Sequence, residues 1–212
     1  MKQRVRRILG QRPPAFLFRA REVVGDVEGT DMDGFMRFFF LMSDSGQIND
    51  HFQRDVQVAC KKAIEQFRQA HPTADVCGFA LYSDADARTL VPSFNTADHL
   101  ARVQAEEPAE QAYFKWSPAE WSHETFGGEH FNVLSSLLWD LADSIPDEDF
   151  ERHRALVFEH CVAALKPLTT CAFENAIYVF AVSDSQSVPE EIAWITQLNT
   201  PEQALEFKTW LE

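Results

Sequence analysis

The stretch VCGFALYSDADARTLVPSF, from Val76 to Phe94, sets two apolar runs on either side of a polar turn. Aromatic and β-branched residues recur in both runs, and Asp84-Ala85-Asp86-Ala87 supplies turn formers between them. The spacing predicts a hairpin of strands 76–83 and 89–94. Pro92 belongs on an edge or at a bulge, because it has no N–H to give a ladder.

On both sides of the hairpin the apolar period lengthens. Upstream, Phe52, Val56, Ala59, Ala63 and Phe67 recur at helical spacing, so 51–70 reads as an amphipathic helix that Pro72 stops. Downstream, Asn95-Thr96 opens a short helix through about Val103. Phe131, Leu134, Leu138, Leu141 and Ile145 mark another, ended by Pro146. Asp147-Glu148-Asp149 suit the positive end of the next helix dipole. That helix carries Phe150, Val157, Cys161 and Leu165 on one face and ends near Pro167. NAIYVFAVS (175–183) reads as a strand. Thr200-Pro201-Glu202-Gln203 spells a capping box for a last helix. The pattern as a whole is α+β: a small, largely antiparallel sheet of about three to five strands flanked by five or six helices.

Residues 1–50 differ in character. MKQRVRRILGQRPP is basic and broken by Pro13-Pro14, GDVEGTDMDG is turn-rich, and FMRFFFLMSDS contains a short apolar run that could form a strand. Two readings of this extension stand: a basic arm with an extra strand, or a chain whose natural start is Met42. Residues 51–212 form a single α+β domain on either reading.

Charge narrows the partners. Residues 1–21 carry Lys2, Arg4, Arg6, Arg7, Arg12, Arg19 and Arg21 and no acid, leaving 12 basic against 33 acidic side chains elsewhere, a net of −21. Such a body repels phosphate backbones and attracts basic proteins. No apolar run approaches the ~18 residues of a membrane span, and the basic N-terminus lacks the features of a signal peptide. Cys60, Cys77, Cys161 and Cys171 show no CxxC spacing, which fits reduced thiols in a cytoplasmic protein.

The most distinctive string is YFKWSPAEWSHE, Tyr113 to Glu124. With Ser117 as N-cap, Pro118 falls at N1 and Glu120 at N3, a capping box, while Trp116 and Trp121 fall at N′ and N4, a hydrophobic staple. The competing reading is a tryptophan platform for a small ligand, shared with Tyr82. Burial of both indoles against the core would exclude it.

Catalytic motifs are incomplete. FGGEH (126–130) lacks the Lys-Ser/Thr of a phosphate loop, and neither Gly-x-Ser-x-Gly nor His-Glu-x-x-His occurs. His123 and His130, like His153 and His160, are seven apart, too far along one helix face to share a metal. No metal site and no cofactor is expected. Three apolar runs end in Ser-Asp, at 43–44, 83–84 and 183–184. Turn chemistry explains such ends; the alternative is that they converge to form a polar or cation site.

FALYSDADARTLVPSFNTADHL (79–100), YFKWSPAEW (113–121), YVFAVSDS (178–185) and QLNTPEQ (197–203), in that order, resemble the bacterial family of domain of unknown function 4303 over roughly residues 51–205. The resemblance implies no activity and no catalytic residues. Small α+β proteins of similar build serve as immunity proteins or partners in bacterial toxin systems, an analogy of fold alone. The acidic body and the missing catalytic constellation favour a non-catalytic, immunity-like module that binds a basic protein. The alternative is a metal-assisted hydrolase using carboxylates at the strand ends, with Asp84, Asp86 and Asp184 as cation ligands. Tyr82, Asp84, Asp86, Asn95 and Asp184 are the candidate interaction or polar-site residues.

Overall fold

A computed structural model describes Ile48, residues 50–185 and residues 187–211. The basic arm, the apolar run before Ser43 and the Ser-Asp pair at 43–44 lie outside the described residues. Helix α1 (Asp50–Ala70) leads into strand β1 (Val76–Ser83), which turns back as β2 (Leu90–Thr96). Helices α2 (Ala97–Glu106) and α3 (Gln111–Trp116) follow, then the two-residue strand β3 (His123–Glu124). The long helices α4 (Asn132–Ser144) and α5 (Asp147–Leu165) lead to β4 (Ile177–Val182), and α6 (Val188–Leu198) and α7 (Pro201–Leu211) close the domain.

The strands form one sheet in the order β3-β2-β1-β4. β1 pairs antiparallel with β2, from Gly78 opposite Asn95 to Ser83 opposite Leu90, with a register shift near Cys77. β3 pairs antiparallel with β2 through Ser93–Glu124 and Phe94–His123 only. At Pro92, therefore, the outer side of β2 has no strand neighbour, which is where a residue without an N–H is tolerated. β4 pairs parallel with β1, Gly78 opposite Ile177 through Ser83 opposite Val182. The sheet is thus mixed rather than largely antiparallel. Its parallel pair follows from the chain returning through α4 and α5 to the starting end of the sheet, because parallel neighbours need such a crossover.

Strand alternation divides the side chains between two layers. Phe79 and Leu81, Leu90 and Phe94, and Tyr178, Phe180 and Val182 point into the main core. There they meet α1 (Phe52, Val56, Phe67), α4 (Leu134, Leu138, Leu141) and α5 (Val157, Phe158, Cys161, Leu165). Ile48 is buried in the same cluster. Phe67 stacks on Phe94 with ring centroids 4.3 Å apart, joining α1 to the sheet. Each such buried aromatic removes a large apolar area from water and is worth about 1.5–3 kcal/mol.

The opposite face is smaller. Ala80, Ile177 and Val179 pack with Trp116, Trp121, Ile195, Ala204 and Phe207. Gly78 is required here: a Cβ would sit 2.9 Å from Cη2 of Trp121. The open edge of β4 is closed by a side chain rather than a strand. Asn199 accepts from the Tyr178 N–H at 2.8 Å and donates to the Tyr178 carbonyl at 2.7 Å. It also donates to the Ile195 carbonyl at 3.0 Å, anchoring the amide to the end of α6. The last helix is capped as the sequence predicts. The Thr200 N–H donates to Gln203 Oε1 at 3.0 Å, and the Gln203 N–H to Thr200 Oγ1 at 3.3 Å.

Candidate interaction site

The tryptophan block folds differently from a helix start. Ser117 stands at the N-cap position with Pro118 at N1, but the helix is one 3-10 turn, Pro118–Glu120, and Ser117 makes no side-chain cap bond. Trp121 leaves the turn in an extended conformation, φ −79° and ψ 154°. Packing explains this, since the indole lies over Gly78 of β1 and donates from Nε1 to the Lys115 carbonyl at 3.2 Å. Continuing the helix would carry Trp121 off the sheet. Trp116 and Trp121 are only 3% and 4% exposed. Burial of both indoles excludes the ligand platform.

With the cap unused, Glu120 is free to turn elsewhere. Its Oε1 accepts a 2.7 Å hydrogen bond from the Tyr113 hydroxyl, and its backbone carbonyl meets His99 Nε2 at 2.9 Å. Ser93 Oγ donates to the Pro118 carbonyl at 3.2 Å, tying the block to β2. The β2–β3 register places Glu124 opposite Ser93, on the face that also carries Tyr82 of β1. Tyr82 packs in a small cluster with Val91 and Ala181.

Two tyrosines therefore lie in a field of carboxylates. Burial, then the charges of Glu124 and Glu120 and the neighbouring Tyr113, hold the Tyr82 hydroxyl well above the usual phenol range. Tyr113 is raised by burial, by its bond to Glu120, and by the charges of Glu120, Glu110 and Glu107. Both phenols stay neutral at pH 7, and Tyr113 donates a hydrogen bond to Glu120. A tyrosine serving as a general base needs a depressed pKa, so this environment is tuned against proton abstraction. Glu107 and Glu120 are exposed, while Tyr113, Glu110 and Glu124 are half-buried. Rigid aromatic rings beside carboxylates suit the recognition of cationic side chains.

The backbone is strained next to this group. Thr125, directly after Glu124, has φ 64°, an outlier for a β-branched residue. Gly127 follows at φ 79°, and a Cβ there would lie 2.8 Å from Cβ of Ala63. Close packing of the loop on α1 holds the strain in place.

The remaining candidates have other settings. Asp84 Oδ1 accepts from the backbone N–H groups of Asp86 and Arg88 at 3.0 and 2.9 Å, and Oδ2 from Thr89 Oγ1 at 2.6 Å. Its carboxylate organises the hairpin turn. Asp86 is exposed on that turn. Asn95 is buried in β2 and accepts from the Thr96 N–H at 3.1 Å. Asp184 is exposed, with φ 57°, just beyond β4. The Ser-Asp ends of β1 and β4 lie side by side, the Ser183 N–H donating to the Ser83 carbonyl at 2.9 Å. Among the described residues no three His, Cys, Asp or Glu side chains are grouped to hold a metal ion. No described helix is long and apolar enough to cross a membrane. The four thiols are free; Cys60 and Cys161 are buried, Cys77 is half-buried and Cys171 exposed.

Sequence reasoning picked out Tyr82 but missed Tyr113 and Glu124 as its neighbours. Both sit at the ends of the YFKWSPAEWSHE string, and only the β2–β3 register turns Glu124 toward Tyr82.

No curated protein and no solved structure matches the chain. The model of the domain of unknown function DUF4303 matches residues 56–200, more than half of the chain, from the second turn of α1 to the capped start of α7. The chain belongs to the DUF4303 family.

Proposed function

We infer that the protein is a non-catalytic interaction module of the bacterial cytoplasm that binds a basic protein, in the manner of an immunity protein. The observation that carries this reading is the arrangement of Glu107, Glu110, Glu120 and Glu124 around Tyr113 and Tyr82. A net charge of −21 outside residues 1–21 extends the same field over the whole body. Long-range attraction of this kind speeds encounter, while the half-buried Tyr113 and the close carboxylates supply short-range contacts. A hydrolase built on the strand-end carboxylates has weaker support, because the Asp84 oxygens already accept three hydrogen bonds from their own turn.

The test is stoichiometric capture from native lysate at low and near-physiological salt, with wild type beside a Glu107→Lys, Glu110→Lys, Glu124→Lys variant. Recovery of one basic protein in near-equal amount, lost with salt and with charge reversal, supports the reading. A bait that retains nothing, or retains the same proteins in both forms, overturns it.

A further inference from the structure

On the opposite face of the same loop, two imidazoles meet. β3 alternation turns His123 away from Glu124 and toward the end of α1, where its ring centroid lies 4.6 Å from that of His71, with 62° between the planes. Phe67 and Phe126 wall the pair: Phe67 lies 4.7 Å from His71 and 5.0 Å from His123, and Phe126 5.4 Å from His71. Both histidines are half-buried, so the pair is reachable from solvent.

The hydrogen bonds single out particular nitrogens. His123 Nδ1 lies 2.9 Å from Ser122 Oγ, and Ser122 Oγ donates in turn to the Phe94 carbonyl at 3.5 Å. Ser122 Oγ also lies 3.4 Å from Thr96 Oγ1; in the tautomer whose Nδ1–H donates to the hydroxyl oxygen, Nε2 carries the lone pair. An orienting bond of this type is the usual partner of a metal-ligating histidine. Among the described residues, neither His123 Nε2 nor either ring nitrogen of His71 has a hydrogen bond. His71 also follows the C-terminus of α1, where the helix dipole favours a cation. The strained Thr125 and close-packed Gly127 fix the loop that carries His123 and Phe126.

The geometry points to a two-imidazole site, His71 and His123, for a late first-row divalent cation such as Ni²⁺, Cu²⁺ or Zn²⁺, with water in the remaining positions. Metal–nitrogen bonds of about 2.0–2.1 Å place two ligating rings roughly 4.5 Å apart at a right angle and roughly 5.2 Å apart at a tetrahedral one. The observed 4.6 Å falls within that range. Neutral imidazole nitrogen is the donor these cations select, and hard oxygen-seeking cations such as Mg²⁺ or Ca²⁺ are not expected to bind.

The test is calorimetric titration of the full chain with NiCl₂, CuCl₂ or ZnCl₂ alone, with MgCl₂ as the negative probe. Wild type is compared with His71→Gln, His123→Gln, Ser122→Ala and the control His130→Gln, whose imidazole instead meets Gln66 Oε1 at 2.9 Å. The expected result is saturable 1:1 binding that is lost in either ligand variant, weakened about tenfold or more in Ser122→Ala, and unchanged in His130→Gln. Electron paramagnetic resonance of the Cu²⁺ form should show two nitrogen ligands. If His123→Gln perturbs folding by circular dichroism, His71→Gln at the helix end decides. Absence of 1:1 binding, or binding that survives His71→Gln, overturns the proposal.

Discussion

Tyr113 donates a 2.7 Å hydrogen bond to Oε1 of Glu120, and this bond takes the carboxylate that a capping box would turn back toward Ser117. The same four-residue chemistry is realised at Thr200–Gln203, where both reciprocal bonds form. Thr200→Ala should therefore cost about 1 kcal/mol, the usual worth of an N-cap. Ser117→Ala should stay within about 0.5 kcal/mol, like an ordinary surface change. Urea denaturation measures both, and equal losses would contradict the assignment.

The contrast between these two boxes shows how far the chain can be read locally. At Thr200 nothing competes with the helix, so the local rule decides. At Ser117 the indole of Trp121 has a better position over Gly78, and tertiary packing ends the helix after one turn. The hairpin, the amphipathic α1, the two long central helices and β4 were legible because each is written in its own period of apolar residues. The parallel pairing of β4 with β1 was not, because no residue near 78 or 177 marks where the intervening helices will dock. The Tyr82–Glu124 proximity was hidden for the same reason. It depends on a two-residue strand whose register is set by β2.

Gly127 and Gly128 are neighbours with opposite tolerances. Gly127 has φ 79° and would bring a Cβ to 2.8 Å from Ala63, whereas a Cβ on Gly128 meets only Val91 Cγ1 at 3.7 Å. Gly127→Ala should destabilise by about 1–3 kcal/mol through strain and overpacking. Gly128→Ala should be close to neutral. Thermal unfolding of the two variants distinguishes them.

Asn199 stands in for a fifth strand at one position of β4. Asn199→Ala leaves the Tyr178 N–H and carbonyl without their partner, and should cost about 1–3 kcal/mol. Hydrogen exchange at the Tyr178 amide should accelerate beyond the global change in stability. Exchange that follows only the global loss would contradict the edge-sealing role.

His153 is buried on α5 with no hydrogen-bond partner at Nε2 among the described residues, and burial lowers its pKa below the ordinary 6.5. The unfolded chain then binds the proton first. The neutral ring's contribution to stability is full above about pH 6.5 and declines as pH falls through the depressed folded value. His153→Leu removes that term. Wild type should lose stability relative to the variant as pH drops from 7 toward 5, as measured by urea titration at each pH. Parallel curves would contradict the buried neutral histidine.

On the proposed function, the carboxylates around Tyr113 and Tyr82 face the partner. Carbodiimide footprinting of carboxyl groups in the purified complex, against the free protein, reads this directly. Reduced labelling is expected at Glu107, Glu110, Glu120 and Glu124, with unchanged labelling at Asp86 and Glu202. Unchanged labelling of those four glutamates in a stoichiometric complex would contradict it.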